Sequence, residues 1–263
     1  MSKKLGFALG SGGSRGVSHI GFLKAMEEEG IVPDFISGCS MGSVIGSCYA
    51  KGYTPKHMEE IVKQLKIGDI FDISLAPIQN GALLRSKKMQ KKLSQYLGNS
   101  TFGDMKIPFS CVATDVIEGK LVVLKDKDAE VCSAVVASST IPTIFRPVEY
   151  KDKLLVDGGV LCRVPVQAVK DMGAEVVVGV DVLGKIRRCD KKYNVFTIMT
   201  RTFEITDSEM VKYSPQKQMA DLYLEPDLGD MDQYKFKDID FAIQKGYEMG
   251  KAYAKKIKEL IEQ

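Results

Sequence analysis

The residues best equipped for covalent chemistry stand near the N-terminus. Gly38-Cys39-Ser40-Met41-Gly42 fits Gly-x-Ser-x-Gly, where flanking glycines permit a sharp strand-to-helix turn that presents the serine oxygen as a nucleophile. Such a pentapeptide arises by composition alone in roughly one chain in ten of this length, so its setting has to support it. It follows Phe35-Ile36-Ser37, a strand-like run, and precedes Val44, Ile45, Cys48 and Tyr49 at helical spacing. That setting makes Ser40 the candidate nucleophile, with Gly38 and Gly42 in support.

A serine nucleophile needs a base. The chain has two histidines, His19 and His57. A Ser-Asp-His triad in α/β-hydrolase order needs its histidine last, and none follows His57. Both are read as packing or surface residues, which leaves a carboxylate. Asp157 ends the apolar run Leu154-Leu155-Val156 and precedes Gly158-Gly159, which leave room for a substrate and a bent backbone. Asp-Gly is also a common turn, and Asp115 and Asp181 stand beside strands too, so residue types alone leave three candidates open.

The third element is Gly10-Ser11-Gly12-Gly13-Ser14-Arg15-Gly16, between a strand and a helix. Exposed amides at a helix N-terminus suit a developing oxyanion, and equally a phosphate. Against a nucleotide, Arg15 stands where the dinucleotide fingerprint needs its last glycine, and no Gly-Lys-Ser or Gly-Lys-Thr closes the loop. The second strand ends in Gly38-Cys39-Ser40 instead of the acidic residue that would hold a ribose.

These groups need elements to carry them. Hydrophobic periodicity predicts a strand from about Lys4 to Leu9, a helix from Arg15 to Glu29, a strand from Asp34 to Cys39 and a helix after Ser40. Thr54 and Pro55 open a third helix as N-cap and first residue. The stretch Ile67 to Asn80 reads as a loop or short lid, followed by a helix capped by Ser86 and running to Leu97. Hairpins are expected at Glu118-Gly119 and at Lys151-Asp152. Glu175 to Val182 is a continuous β-branched run expected at the sheet centre. The C-terminal helix, with Ile243, Tyr247, Gly250, Ala254, Ile257 and Ile261 at helical steps, should pack on the sheet.

Composition bounds the function. The chain has 263 residues, 44% hydrophobic and 27% charged, which fits one globular domain over 1–263. No apolar run reaches the ~18 to 20 residues that cross a bilayer, and the N-terminal apolar run is too short for a secretory signal. Six cysteines lie scattered without a metal or redox motif, so reduced thiols and a cytoplasmic location are expected, with no metal and no cofactor. A net charge of +3 without an aromatic-basic stripe argues against nucleic acid. The basic residues Arg85, Lys87, Lys88, Lys91 and Lys92, interleaved with Leu84, Met89, Leu93 and Leu97, are either a solvated helix face or a peripheral membrane contact. Oligomeric state is not legible.

Taken together, the glycine loop with Arg15, the Gly38–Gly42 elbow and Asp157-Gly158-Gly159 resemble the patatin-like phospholipase family. The resemblance extends through Ala113-Thr114-Asp115 and Ala137-Ser138-Ser139-Thr140-Ile141-Pro142 with Phe145 and Pro147, covering most of Leu5 to Asp181. It implies a three-layer α/β/α sandwich with a mainly parallel central sheet and a Ser40–Asp157 dyad. It also implies an oxyanion hole of Gly12, Gly13 and Ser14, supported by Arg15, Gly158 and Gly159. The implied activity is hydrolysis of lipid acyl esters; a non-catalytic lipid-binding or regulatory protein, or an acyltransferase, are the rivals. One departure is Arg163, where the family commonly has asparagine before Val-Pro.

Overall fold

The structure, a computed structural model, describes residues 2–65, 84–184, 186 and 194–263, with Phe196 described in its backbone alone. The strands are β1 (Leu5–Leu9), β2 (Phe35–Cys39), β3 (Phe109–Asp115), β4 (Lys120–Leu124), β5 (Val148–Tyr150), β6 (Lys153–Asp157), β7 (Val176–Val180) and β8 (Leu222–Leu224). They form one sheet in the order β5-β6-β3-β2-β1-β7-β8, with β4 added to β3. From β3 through β8 the pairings are parallel, whereas β4, β5 and β6 enter as antiparallel hairpins. Every residue of β1, β3 and β7 is buried, as expected of strands covered on both faces.

Helices complete the outer layers: α1 (Ser18–Glu28), α2 (Met41–Lys51), α3 (Pro55–Gln64), α4 (Lys87–Leu97), α5 (Val131–Ser138), α6 (Val166–Lys170), α7 (Val195–Lys212), α8 (Pro215–Met219) and α9 (Ile239–Glu262). Alternate strand residues face opposite ways. Leu5, Phe7, Leu9, Ile36 and Val178 join the large core under α1, α2, α3, α5 and α9. Ala8 and Val177 pack on the other side against Val166 and Val169 of α6 and Met219 of α8. This is the expected α/β/α sandwich, with one thick and one thin helical layer. Among the described residues no helix is long and apolar enough to cross a membrane.

Three local expectations change. The run at 175–182 forms β7, which lies next to the sheet edge, because a three-residue β8 that the sequence did not announce covers only its outer side. Ser86 stands at the N-cap of α4 without a side-chain capping bond, whereas Thr54 accepts from the His57 N–H as expected. The first helix starts at Ser18, after a 3-10 turn over Gly13–Val17. The expected loop or lid at 67–80 lies outside the described residues.

Candidate active site

Strand register brings the serine to the aspartate. Val112 on β3 pairs with Cys39 of β2 along one edge, and the next residue, Ala113, pairs with Asp157 of β6. β4 occupies the opposite edge of both. β2 and β6 therefore run toward each other along the same edge of β3 and stop one residue apart. Ser40 follows the last residue of β2, and Asp157 is the last residue of β6, so their side chains share one junction.

Ser40 adopts φ 51° and ψ −123°, a conformation L-residues avoid. Such strain is of order 1–3 kcal/mol and persists only where neighbours fix it. Here the Ser40 N–H donates to the Ser138 Oγ at 3.0 Å, and its carbonyl accepts from the Ser43 N–H at 2.8 Å and the Ser43 hydroxyl at 2.6 Å. A side chain at Gly42 would lie 2.1 Å from the Leu9 carbonyl oxygen, and one at Gly38 2.4 Å from the Ser43 Cα, so Gly42 lets the turn close against β1 and Gly38 lets α2 fold back over β2. Ser40 also stands at the N-terminus of α2, where the helix dipole favours negative charge on its oxygen.

Asp157 is only 6% exposed. Its N–H donates to the Thr140 carbonyl at 2.9 Å, while its Oδ1 accepts from the Gly159 N–H at 2.8 Å and faces the Cys39 thiol at 3.8 Å. Burial raises the carboxyl pKa from 3.8 to about 6, against the lowering effect of hydrogen bonds from the Ser40 side chain, the Gly159 amide and Cys39. The aspartate is thus a stronger base than its residue type suggests. Gly158 lies tight on the Val112 carbonyl, and Gly159 sits against Ser11.

The rivals are otherwise engaged. Asp115 accepts from the Ile117 N–H in a turn beyond β3. Asp181 is ion-paired with Arg163 at 3.0 Å and accepts from the Leu183 N–H and the Tyr223 hydroxyl. His19 is fully buried, with its Nε2 on the Gly10 carbonyl at 2.9 Å; burial lowers its pKa to about 4, despite that bond and Asp181, so it is neutral. His57 is half exposed and lies 3.8 Å from Glu60 on α3.

The glycine loop divides its labour. Gly12 and Gly13 line the cavity that holds Ser40 and Asp157. Ser14 does not join them: it is fully buried, its N–H donates to the Gln233 carbonyl and its hydroxyl to the Asp232 carbonyl, both at 2.9 Å. The expectation of a Ser14 oxyanion amide is corrected accordingly, since that proton is already committed. Arg15 fastens the loop, with its Nε donating to the Val182 carbonyl at 2.9 Å. Arg163 is a second fastening: its carbonyl accepts the Ser11 N–H, while its guanidinium joins Asp181 to Asp207 of α7.

Ser40 opens onto two cavities. One, of about 410 Å³, is lined by Gly12, Gly13, Asp157, Arg163, Phe203 and Tyr234 among others. The second, of about 130 Å³, is bounded by apolar side chains including Val44, Met58, Val62, Met89 and Leu93.

A family model described as patatin-like phospholipase matches residues 7–170, which include the loop, the elbow and Asp157. The chain belongs to the patatin-like phospholipase family. An uncharacterized NTE family protein of Mycobacterium bovis is 32% identical over 185 residues, 70% of this chain and 50% of that protein. A lysophospholipase NTE1 of Cryptococcus neoformans var. neoformans is 31% identical over 68% of this chain and 11% of its own length. The chain thus spans half, or much less, of these curated relatives. Among solved structures, VipD from Legionella pneumophila superposes with a TM-score of 0.63 at 14% identity, covering 97% of this chain and 67% of that one, a likeness of fold. Patatin-like membership accounts for the blocks read in the sequence, Ser138 and Thr140 among them; that these two bond to Ser40 and Asp157, and that Arg163 pairs with Asp181 and Asp207, was not legible there.

Proposed function

We propose that this protein is a serine hydrolase of lipid acyl esters, of the lysophospholipase or carboxylesterase type, working through Ser40 and Asp157. Ser40 Oγ attacks the carbonyl carbon of the ester while its proton passes to Asp157. The tetrahedral intermediate expels the alcohol, which takes that proton, and leaves the acyl group on Ser40. Water then attacks the acyl-enzyme, again giving its proton to Asp157, and the carboxylic acid departs as Ser40 is reprotonated. Gly12 and Gly13 amides are the candidate donors to the oxyanion, a contribution typically worth about 10² to 10³ in rate per donor.

The single observation that carries this reading is a buried carboxyl at the end of β6, its pKa raised to about 6, lining the same cavity as a serine held at positive φ. The apolar cavity suits an acyl chain and the larger one an alcohol or head group. The name of the fungal relative favours lysophospholipids as the first substrates to test. Peripheral contact with a membrane surface is part of the same reading. The test is labelling by a fluorophosphonate together with hydrolysis of a short-chain nitrophenyl ester. Ser40→Ala should lose both, and retention of either would refute the nucleophile.

A further inference from the structure

The helix α7 is built inside out. Among its described side chains the buried ones are Thr200 and Ser208, both polar. Its ties to the body are polar too: Asp207 accepts from Arg163 at 2.8 Å, Glu204 from the Gln233 side chain at 2.9 Å, and Ser208 from the Ile186 N–H at 3.4 Å. The outward face carries the apolar residues. Val195 is 76% exposed, Ile198 52%, Ile205 48% and Tyr213, just past the helix, 80%, with Met199, Phe203 and Met210 completing the stripe. Their spacing of three, four and seven residues places them on one side of the helix. The charged side chains exposed beside them, Glu209 and Lys212, pair with each other at 2.5 Å, so covering this face would strand little unpaired charge.

We propose that this face of α7 is a docking surface for a lipid bilayer. The proposal rests on the reading of Ser40 as a lipid acyl hydrolase, and it adds the surface by which such an enzyme meets its substrate. Two observations select a bilayer as the occupant. Phe203 and Met210 are at once exposed and part of the lining of the Ser40 cavity, so the apolar face borders the cavity mouth. A protein seated there would close that mouth, whereas a membrane would present its ester-linked lipids to it. The second is the contrast with α4, the basic helix that sequence offered for membrane contact. Its Met89, Leu93 and Leu97 are buried in the core, which leaves it a charged face and no apolar one to insert. Interfacial helices need an apolar side at the boundary between head groups and acyl chains.

The test uses the whole chain in flotation with phosphatidylcholine vesicles, with and without an anionic lipid. Wild type should float with both. The I198E/I205E variant alters exposed residues outside the cavity lining and should lose vesicle binding by about tenfold or more, with thermal unfolding and hydrolysis of a soluble short-chain ester unchanged. The milder I198S/I205S should fall between the two. Ser40→Ala should float like wild type, because docking does not need the nucleophile. Flotation thus reads docking separately from turnover: a protein that hydrolyses the soluble ester but does not float would overturn the docking surface and leave the catalytic reading standing. Equal flotation of wild type and I198E/I205E would overturn it too, as would a wild-type dimer that the same variant splits.

Discussion

Asp157 and Asp181 are the same residue in nearly the same situation, each at the carboxyl end of a strand and each almost fully buried, at 6% and 1% exposure. They differ in what neutralises them. Asp181 has the Arg163 guanidinium at 3.0 Å, with amide and hydroxyl donors around it. Asp157 has no cation among its described contacts, only an amide, a thiol and a hydroxyl. A buried carboxylate with its own cation is an anchor. One satisfied by neutral donors keeps a proton affinity near the middle of the pH scale, which is what a base needs. Charge compensation, more than residue type or burial, distinguishes the two and supports the proposed role of Asp157 as base.

The sharpest way to break this comparison is to remove the charge at Asp157. Asp157→Asn should lower kcat/KM for a soluble ester by about 10³ or more, as removal of a base from a serine nucleophile does. The same variant should be more stable at neutral pH. The folded-state pKa lies about two units above 3.8, so the native state binds the proton more readily than the unfolded chain, and ionisation destabilises the fold as pH rises from about 4 to 6. Asparagine carries no such penalty, and a gain of about 3 kcal/mol in urea unfolding at pH 7 is expected. A variant both inactive and less stable would mean that Asp157 serves the fold. At Asp181 the signs reverse: Arg163→Met strands two carboxylates and should cost about 3–5 kcal/mol. Adding Asp181→Asn and Asp207→Asn to Arg163→Met should recover most of that loss.

How much of this was legible in the residues follows from how local each feature is. The elbow and the glycine loop are strand-turn-helix units whose glycines and apolar flanks lie within a few positions, so Ser40 and the loop could be picked out directly, while the oxyanion reading of Gly12 and Gly13 came from the family resemblance. The meeting of β2 and β6 on one edge of β3 is a matter of tertiary register, and only the family resemblance chose Asp157 over Asp115 and Asp181. Ser14 carried the right type and position for an oxyanion amide, but its proton is claimed by Gln233, more than two hundred residues away. Arg163 looked like a departure near the site and is the cation that removes Asp181 from contention. The stretch forming α7 was illegible for a different reason. Periodicity locates a core by assuming that apolar faces turn inward, and this helix turns its apolar face out.

A smaller effect sharpens the same contrast through pH. On the proposed mechanism the free carboxylate is the active form, so kcat/KM should fall as pH drops through about 6, reaching roughly a tenfold loss one unit below. Stability should move the opposite way across that window, since protonation relieves the buried charge. Arg163→Met together with Asp181→Asn and Asp207→Asn should leave the midpoint nearly unmoved, because the coulombic influence of Asp207 is the smallest of the contributions to Asp157. A midpoint near 4 in the wild type would mean that solvent reaches the carboxyl during turnover.

The smallest expected effect separates two adjacent serines. Ser138 and Ser139 are both buried at the end of α5. Ser138 Oγ accepts the N–H of the strained Ser40, while the Ser139 oxygen is buried without a partner among the described residues. Ser138→Ala leaves the Ser40 amide unsatisfied and should cost about 1 kcal/mol of stability. It should also lower kcat severalfold with little change in KM, since the loosened part is the nucleophile's backbone. Ser139→Ala removes a hydroxyl that already lacks a bond and should be neutral or slightly stabilising, with activity unchanged. Equal effects from the two substitutions would show that loss of packing, and not the hydrogen bond to the nucleophile, is what the α5 terminus contributes.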